Sequence, residues 1–336
     1  MNYSAPLWLP GGNLQTIWPA LYAKRVFGPH PQYRRARWDA PDGDFVDVDW
    51  LFNAADASVV APHAATSPPK TLLVLFHGLE GSSRSHYAEA FADFARAQGL
   101  AYAVPHFRGC SGEINRAPRA YHSGDHEEID WILKRFHREW AEQGGERVVA
   151  VGVSLGGNAL LRWAQEAGET ASHTATAVAA VSSPVDLAAG GYAIGRGFNR
   201  LVYTRMFLRT MKPRAMQRLA MFPGLFDGEA LTAARDLYEF DNVFTAPVHG
   251  FKSTEDYWGR CSAKPHLHQI RVPALVVNAR NDPFVPVWCL PHQNEVGSHV
   301  TLWQPAQGGH VGFPKGPMPG HVRSMPDAVG TWLMKA

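Results

Sequence analysis

Val148-Val149-Ala150-Val151-Gly152-Val153-Ser154-Leu155-Gly156-Gly157 joins an apolar run to a helical stripe formed by Leu155, Ala159 and Trp163, with Leu160 and Ala164. The run is rich in β-branched residues and reads as a strand buried on both faces, as in a parallel sheet. At the junction sits Gly152-x-Ser154-x-Gly156, a G-x-S-x-G pattern. The pattern is common by chance; its position between a strand and a helix gives it content. A sharp turn there holds the serine in a strained backbone, and side chains at the flanking glycines would collide with neighbouring backbone. The helix N-terminus beneath favours developing negative charge. The bland alternative is a glycine-rich helix start that binds phosphate or merely packs. It lacks the lysine of a P-loop and the G-x-G-x-x-G spacing.

Runs of the same kind occur at Thr71–Phe76, Ala101–Val104, Ala177–Val181 and Ala274–Ala279, with a weaker one at Val300–Trp303. Helical stripes lie between them. Tyr87, Phe91, Phe94, Ala95 and Gln98 form one, and Ile129, Ile132, Leu133, Phe136 and Trp140 another. This alternation predicts an α/β fold with a mostly parallel, doubly wound sheet. Tyr33–Trp38 and Val46–Phe52 predict an antiparallel hairpin around Pro41-Asp42-Gly43, and 53–70, rich in Ala, Pro and Ser, reads as a surface loop. The alternation stops after Val181. Residues 186–270 contain no clear buried strand, and short helices are expected at Arg200–Met211, Arg214–Met221 and Glu229–Leu237. An insertion of that length predicts a helical cap over an active site, with 1–185 and 271–336 forming the core.

A serine hydroxyl needs a base, and 16 histidines are available. Position selects among them, because in this kind of fold the acid follows a late strand and the histidine follows the last one. Asp282 lies just beyond Ala274–Ala279, and His310, in Gln307-Gly308-Gly309-His310-Val311-Gly312-Phe313, lies beyond Val300–Trp303. The order Ser154…Asp282…His310 predicts a nucleophile, an orienting acid and a base. Asp186, after Ala177–Val181, is the reserve acid. An oxyanion needs two backbone N–H groups. Leu155 supplies one, and the loop His77-Gly78-Leu79-Glu80-Gly81-Ser82 the other, from Leu79. His77 and Glu80 read as structural, Arg108 as a residue holding loops together, and Cys110 as a buried small side chain.

In the expected cap, Met206, Phe207 and Met211 are candidates for an adaptable apolar pocket that takes acyl chains. The same side chains also suit the cap's own core. Arg205, Arg209, Lys212, Arg214 and Arg218 interleave with them, either as a solvated face or as a contact for anionic lipid headgroups.

The whole-chain properties set limits. The 336 residues carry 32 Lys+Arg and 30 Asp+Glu, a net charge of +2, which gives no general attraction to nucleic acid. No run approaches 18 apolar residues, so no stable membrane insertion is expected. Residues 1–22 carry no basic residue and do not read as a targeting segment. The three cysteines are scattered and fit a reducing compartment, with the cytoplasm as the default. No grouping has metal-ligand spacing, His266-x-His268 lacks a third ligand, and neither metal nor cofactor is expected.

These motifs together resemble the YheT-like α/β-hydrolases. The resemblance rests on His77-Gly78-Leu79-Glu80-Gly81-Ser82, His106-Phe107-Arg108-Gly109-Cys110-Ser111-Gly112, Gly152-Val153-Ser154-Leu155-Gly156-Gly157-Asn158 and Gly308-Gly309-His310-Val311-Gly312-Phe313. Gly12-Asn13-Leu14-Gln15-Thr16 and Phe240-Asp241…Gly250-Phe251 extend it, as do Tyr257 and Cys261-Ser262-Ala263. It implies the α/β-hydrolase fold, with Ser154, Asp282 and His310 as a triad. It also implies activity on carboxylic esters or monoacylglycerols, or transfer of medium-chain acyl groups to alcohols. One departure is Asn281, where the family usually carries a second Asp. The resulting expectation is an esterase acting on small-molecule or lipid esters with medium or long acyl chains. The alternatives are an alcohol acyltransferase and a non-catalytic ligand-binding protein.

Overall fold

The computed structural model describes residues 2–52 and 69–336; of the expected surface loop 53–70, only Pro69 and Lys70 are among them. Eight strands form one sheet: β1 (Gln32–Asp39), β2 (Phe45–Phe52), β3 (Thr71–Phe76), β4 (Ala101–Pro105), β5 (Arg147–Val153), β6 (Ala177–Val181), β7 (Ala274–Val277) and β8 (Val300–Trp303). Their order is β1-β2-β4-β3-β5-β6-β7-β8. β1 pairs antiparallel with β2, and β2 antiparallel with β4; the remaining six strands run parallel. The expected hairpin and parallel sheet are both present. On the edge hairpin, directly opposed residues form ion pairs, Arg35 with Asp49 at 2.7 Å and Arg37 with Asp47 at 2.8 Å.

Both faces of the parallel part of the sheet are covered, which explains why its central strands read as unbroken apolar runs. Leu72, Val74 and Phe76 of β3 point to the face carrying α3 (His126–Glu142) and α4 (Leu155–Ala167), among Ile129, Phe136, Leu160 and Trp163. Leu73 and Leu75 point the other way, to α2 (His86–Ala97) and α8 (Ser324–Lys335), among Phe91, Phe94, Val329 and Leu333. An N-terminal helix, α1 (Gly12–Leu21), precedes the sheet.

Between β6 and β7 the described elements are all helical. They include α5 (Leu187–Ile194), α6 (Arg205–Met221) and α7 (Thr254–Cys261). The two helices expected on either side of Pro213 are one. α6 runs through the proline, with Leu208 and Ala215 buried together in one cluster on either side of it. The helix expected at Glu229–Leu237 is instead split into Gly228–Ala233 and Leu237–Phe240. Asp236 starts the second piece, its carboxylate accepting from the Glu239 N–H at 2.9 Å, as an N-cap does.

Candidate active site

Ser154 closes β5 and opens α4 with φ 53° and ψ −118°, a conformation that costs a non-glycine residue of order 1–3 kcal/mol. Its neighbours permit the turn. A Cβ on Gly156 would overlap the Phe76 and His77 carbonyls, and one on Gly152 would overlap the Gly156 carbonyl. The tight approach of β3, β5 and α4 therefore requires both glycines.

The turn presents Ser154 Oγ 3.0 Å from His310 Nε2, and His310 Nδ1 lies 2.9 Å from Asp282 Oδ2. An ionised carboxylate only accepts, so Nδ1 carries the proton and Nε2 is left to accept from the serine. Asp282 is buried, and its other oxygen accepts from the Phe284 and Val285 N–H groups at 2.7 and 3.3 Å. The Phe284 ring packs on the imidazole, centroids 4.2 Å apart. Asp186 is used differently. Its carboxylate accepts from the Ala189 N–H at 3.0 Å and caps α5.

The loop carrying His310 is clasped by α1. Gln15, fully buried, accepts from the Gly308 N–H and from Asn281 Nδ2, each at 2.9 Å, and donates Nε2 to the Leu9 carbonyl at 2.8 Å. Thr16 Oγ1 accepts from the His310 N–H at 2.8 Å. Asn281 Oδ1 accepts from the Gly309 N–H at 3.0 Å. Gly309, at φ 62°, leaves no room for a Cβ beside the Gln15 backbone. Sequence reading missed this role for Gln15, Thr16 and Asn281. The motif Gly12–Thr16 and the departure at Asn281 were visible, but nothing local says that a segment near residue 15 meets one near residue 308.

On the opposite side, His77 shapes the loop after β3. Its Nε2 accepts from the Phe107 N–H at 3.0 Å, so its Nδ1 donates, to the Gly78 carbonyl at 2.8 Å. Complete burial pushes its pKa down to about 3 and keeps it neutral. The Tyr87 hydroxyl accepts from the Gly78 N–H at 2.8 Å. Glu80, at φ 58°, is held by Tyr121 on its backbone and carboxylate and pairs with Arg214 at 2.9 Å. These contacts set Leu79 beside Ser154. Leu155 is the first residue of α4, so its N–H has no helical acceptor one turn back. Both leucines line the cavity that contains Ser154 and His310.

That cavity, of about 120 Å³, has a mostly apolar wall, broken by Ser123, Asp241 and Tyr257. Leu187, Ile194, Phe207, Met211, Leu237 and Trp258 from the helical insertion face it, with Phe284 from the sheet side. Of the three pocket candidates, Phe207 and Met211 are there and Met206 is not; it is 54 % exposed. One residue on a helix turns the side chain by about 100°, so Met206 and Phe207 cannot share a face.

Arg108 ties the loop after β4 to the hairpin and to α3, through Asp42 at 2.8 Å, Asp44 at 2.9 Å and Glu128 at 2.5 Å. Burial pushes the Cys110 thiol up to about 12, which leaves no thiolate at neutral pH. Among the described residues, no group of three or more His, Cys, Asp or Glu is arranged to hold a metal ion. No described helix is long and apolar enough to cross a membrane.

Comparison with known proteins agrees with this architecture. The family described as "alpha/beta hydrolase fold" matches residues 71–317. YheT of Escherichia coli K12, whose name marks it as a candidate esterase, is 39% identical over 90% of this chain and 84% of its own. Phospholipase ABHD3 of Mus musculus is 28% identical over 87% of this chain and 69% of its own. Monoacylglycerol lipase ABHD2 of the same organism is 28% identical over 94% and 75%. Among solved structures, the Pyrococcus furiosus esterase Pf2001 superposes with a TM-score of 0.52 at 15% identity, covering 94% of this chain and 96% of its own. At that identity the superposition speaks for the fold alone.

Proposed function

The chain belongs to the α/β-hydrolase fold family, and from that premise we propose that it is a serine hydrolase cleaving carboxylic esters through an acyl-serine intermediate. One observation carries the reading: the unbroken relay from Ser154 Oγ to His310 Nε2 and from His310 Nδ1 to Asp282, at 3.0 and 2.9 Å. His310 takes the hydroxyl proton as Ser154 Oγ bonds to the ester carbonyl carbon. The carbonyl oxygen becomes an oxyanion, facing the Leu79 and Leu155 N–H groups. Collapse breaks the bond to the alcohol, which leaves with the proton from His310. Water then repeats the sequence on the acyl-serine and releases the acid. Asp282 keeps the imidazole in the required tautomer and stabilises the imidazolium.

Residues 186–270 act in this reading as a cap, and their apolar wall, with Phe207 and Met211, takes a medium or long acyl chain. The lipid esters named for ABHD3 and ABHD2 support that substrate class. Three free, buried cysteines suit a reducing compartment such as the cytoplasm. The test is labelling by a fluorophosphonate together with turnover of p-nitrophenyl esters of graded chain length. Labelling confined to Ser154 and turnover lost in Ser154→Ala are expected. A wild-type protein that neither labels nor turns over any ester refutes the proposal.

A further inference from the structure

A second pocket of about 150 Å³ adjoins this cavity as a lobe, the two sharing Leu79, Leu155, Met211, Asp241 and Tyr257 in their walls. Its character is different. Three arginines line it, Arg108, Arg214 and Arg218. Arg108 is neutralised by Asp42, Asp44 and Glu128, and Arg214 by Glu80. Arg218 is 5 % exposed, and among the described residues it forms no ion pair. Its Nε is buried without a hydrogen-bond partner.

A buried charge with no partner is expensive to keep, and an Arg so placed calls for an anion. Burial draws the Arg218 pKa below the ordinary arginine value. The carboxylate whose field favours its charge is Asp44, and that group is already committed. It accepts from Asn115 Nδ2 and the Phe45 and Arg116 N–H groups, each at 2.9 Å, and pairs with Arg108. The carboxylates that line the lobe itself are also engaged. Glu113 pairs with Arg37 at 2.6 Å. Asp241 accepts from Thr245 Oγ1 at 2.6 Å and Trp258 Nε1 at 2.9 Å. No structural role for the Arg218 charge is apparent in these contacts.

We propose that the Arg218 lobe is a subsite for an anionic oxoacid group, phosphate or carboxylate, carried on the alcohol half of the ester substrate. The inference rests on the esterase reading above and deepens it. The apolar lobe holds Ser154 and His310 and takes the acyl chain, so the lobe beyond Leu79 and Leu155 is left for the leaving alcohol. The planar fork of Arg218 suits bidentate recognition of an oxoanion. The two lobes together then select an amphiphile with an acyl chain at one end and a charged group at the other.

The experiment compares kcat/KM for three octanoyl esters: neutral 1-octanoylglycerol, 1-octanoylglycerol 3-phosphate and the octanoyl ester of 3-hydroxybutyrate. At least one anionic ester should exceed the neutral one by tenfold or more, and the phosphate and carboxylate arms identify the oxoacid. Arg218→Met should bring that ratio to within twofold of one. Its melting temperature should equal or exceed that of the wild type, since a buried unpaired charge is removed. Equal ratios for all three esters in the wild type, or an advantage that survives Arg218→Met, overturn the subsite. Should Arg218→Met fail to fold, Arg218→Lys, which keeps the charge and loses the fork, should cut the ratio at least threefold; an unchanged ratio counts against the subsite. p-Nitrophenyl octanoate separates the two claims, because loss of its turnover speaks against the esterase reading and not the subsite. In that case calorimetric binding of 1-octanoylglycerol 3-phosphate to Ser154→Ala, lost in the double variant with Arg218→Met, decides the subsite; binding that persists overturns it.

Discussion

The ends of the strands and the helices between β6 and β7 face the same cavity but are built differently. At the strand ends, and in the α1 clasp on them, the positions are over-determined. Asp282 uses both oxygens, Gln15 uses its carbonyl and amide, and His77 uses both ring nitrogens. In the helical segment, Met206, Met216 and Met221 are partly exposed, and Arg218 is buried with no partner for its Nε and no ion pair among the described residues. The first region fixes atoms by backbone approach and hydrogen bonds. The second fills space with adaptable side chains. Substitutions in the first should therefore change how fast the protein works, and those in the second should change what it works on.

The sharpest test of the first half is Ser154→Ala, expected to lower kcat by on the order of 10⁶ with the fold intact by circular dichroism. Retention of a tenth of the rate would move the nucleophile elsewhere. Asp282→Asn should lower kcat by roughly 10⁴ at neutral pH, since His310 loses its tautomer partner. Asp186→Asn should leave kcat within a few-fold, because that carboxylate caps α5; the reverse ranking would break the assignment. Gln15→Leu strands the Gly308 N–H and Asn281. A buried group left unpaired costs about 1–3 kcal/mol, so a lower melting temperature and a kcat reduced by about tenfold or more are expected, with KM little changed. A matching change in KM alone would put Gln15 in substrate binding.

For the second half, each methylene entering an apolar pocket is worth up to about 0.8 kcal/mol, a fourfold gain in kcat/KM. Specificity should climb with acyl length and then fall. Phe207→Ala and Met211→Ala should flatten the climb for octanoate more than for acetate, and Met206→Ala should not. A flat wild-type profile would remove the acyl pocket and leave the relay at the strand ends untouched.

The smallest effect on rate belongs to Asp241→Asn, read through stability. Burial raises the folded carboxyl from 3.8 to about 6, so the folded state holds the proton longer than the unfolded one. The stability this group contributes is present below pH 3.8 and is lost as pH rises through about 6. Relative to wild type, Asp241→Asn should thus gain stability between about pH 4 and pH 7, by at most about 3 kcal/mol. Urea midpoints at the two pH values check this, and a difference independent of pH would refute it.

What could be read from the chain divides along the same line. The strand runs, the glycines around Ser154 and the order of Ser154, Asp282 and His310 are local or ordinal signals, and they were legible. The clasp of Gln15 on Gly308 joins segments with no local cue to each other. In the helical segment, periodicity located residues on faces poorly. Met206 and Phe207 look equivalent as letters, yet one is exposed and the other lines the cavity. Pro213 suggested a break that α6 does not make, because tertiary packing on both sides of it outweighs the missing hydrogen bond. Arg218 looked like one of five basic residues on a face, and only burial without a partner sets it apart.

The clasp also has a consequence in time. Gln15 and Gly308 are 293 positions apart. At roughly 5–20 residues per second on the ribosome, Gln15 waits about 15–60 s for its partner to be made. Until then Ser154 has been translated, but the loop that brings His310 to it has not. Under the proposed function, the hydroxyl would gain its base only when the earliest helix and one of the latest loops first meet.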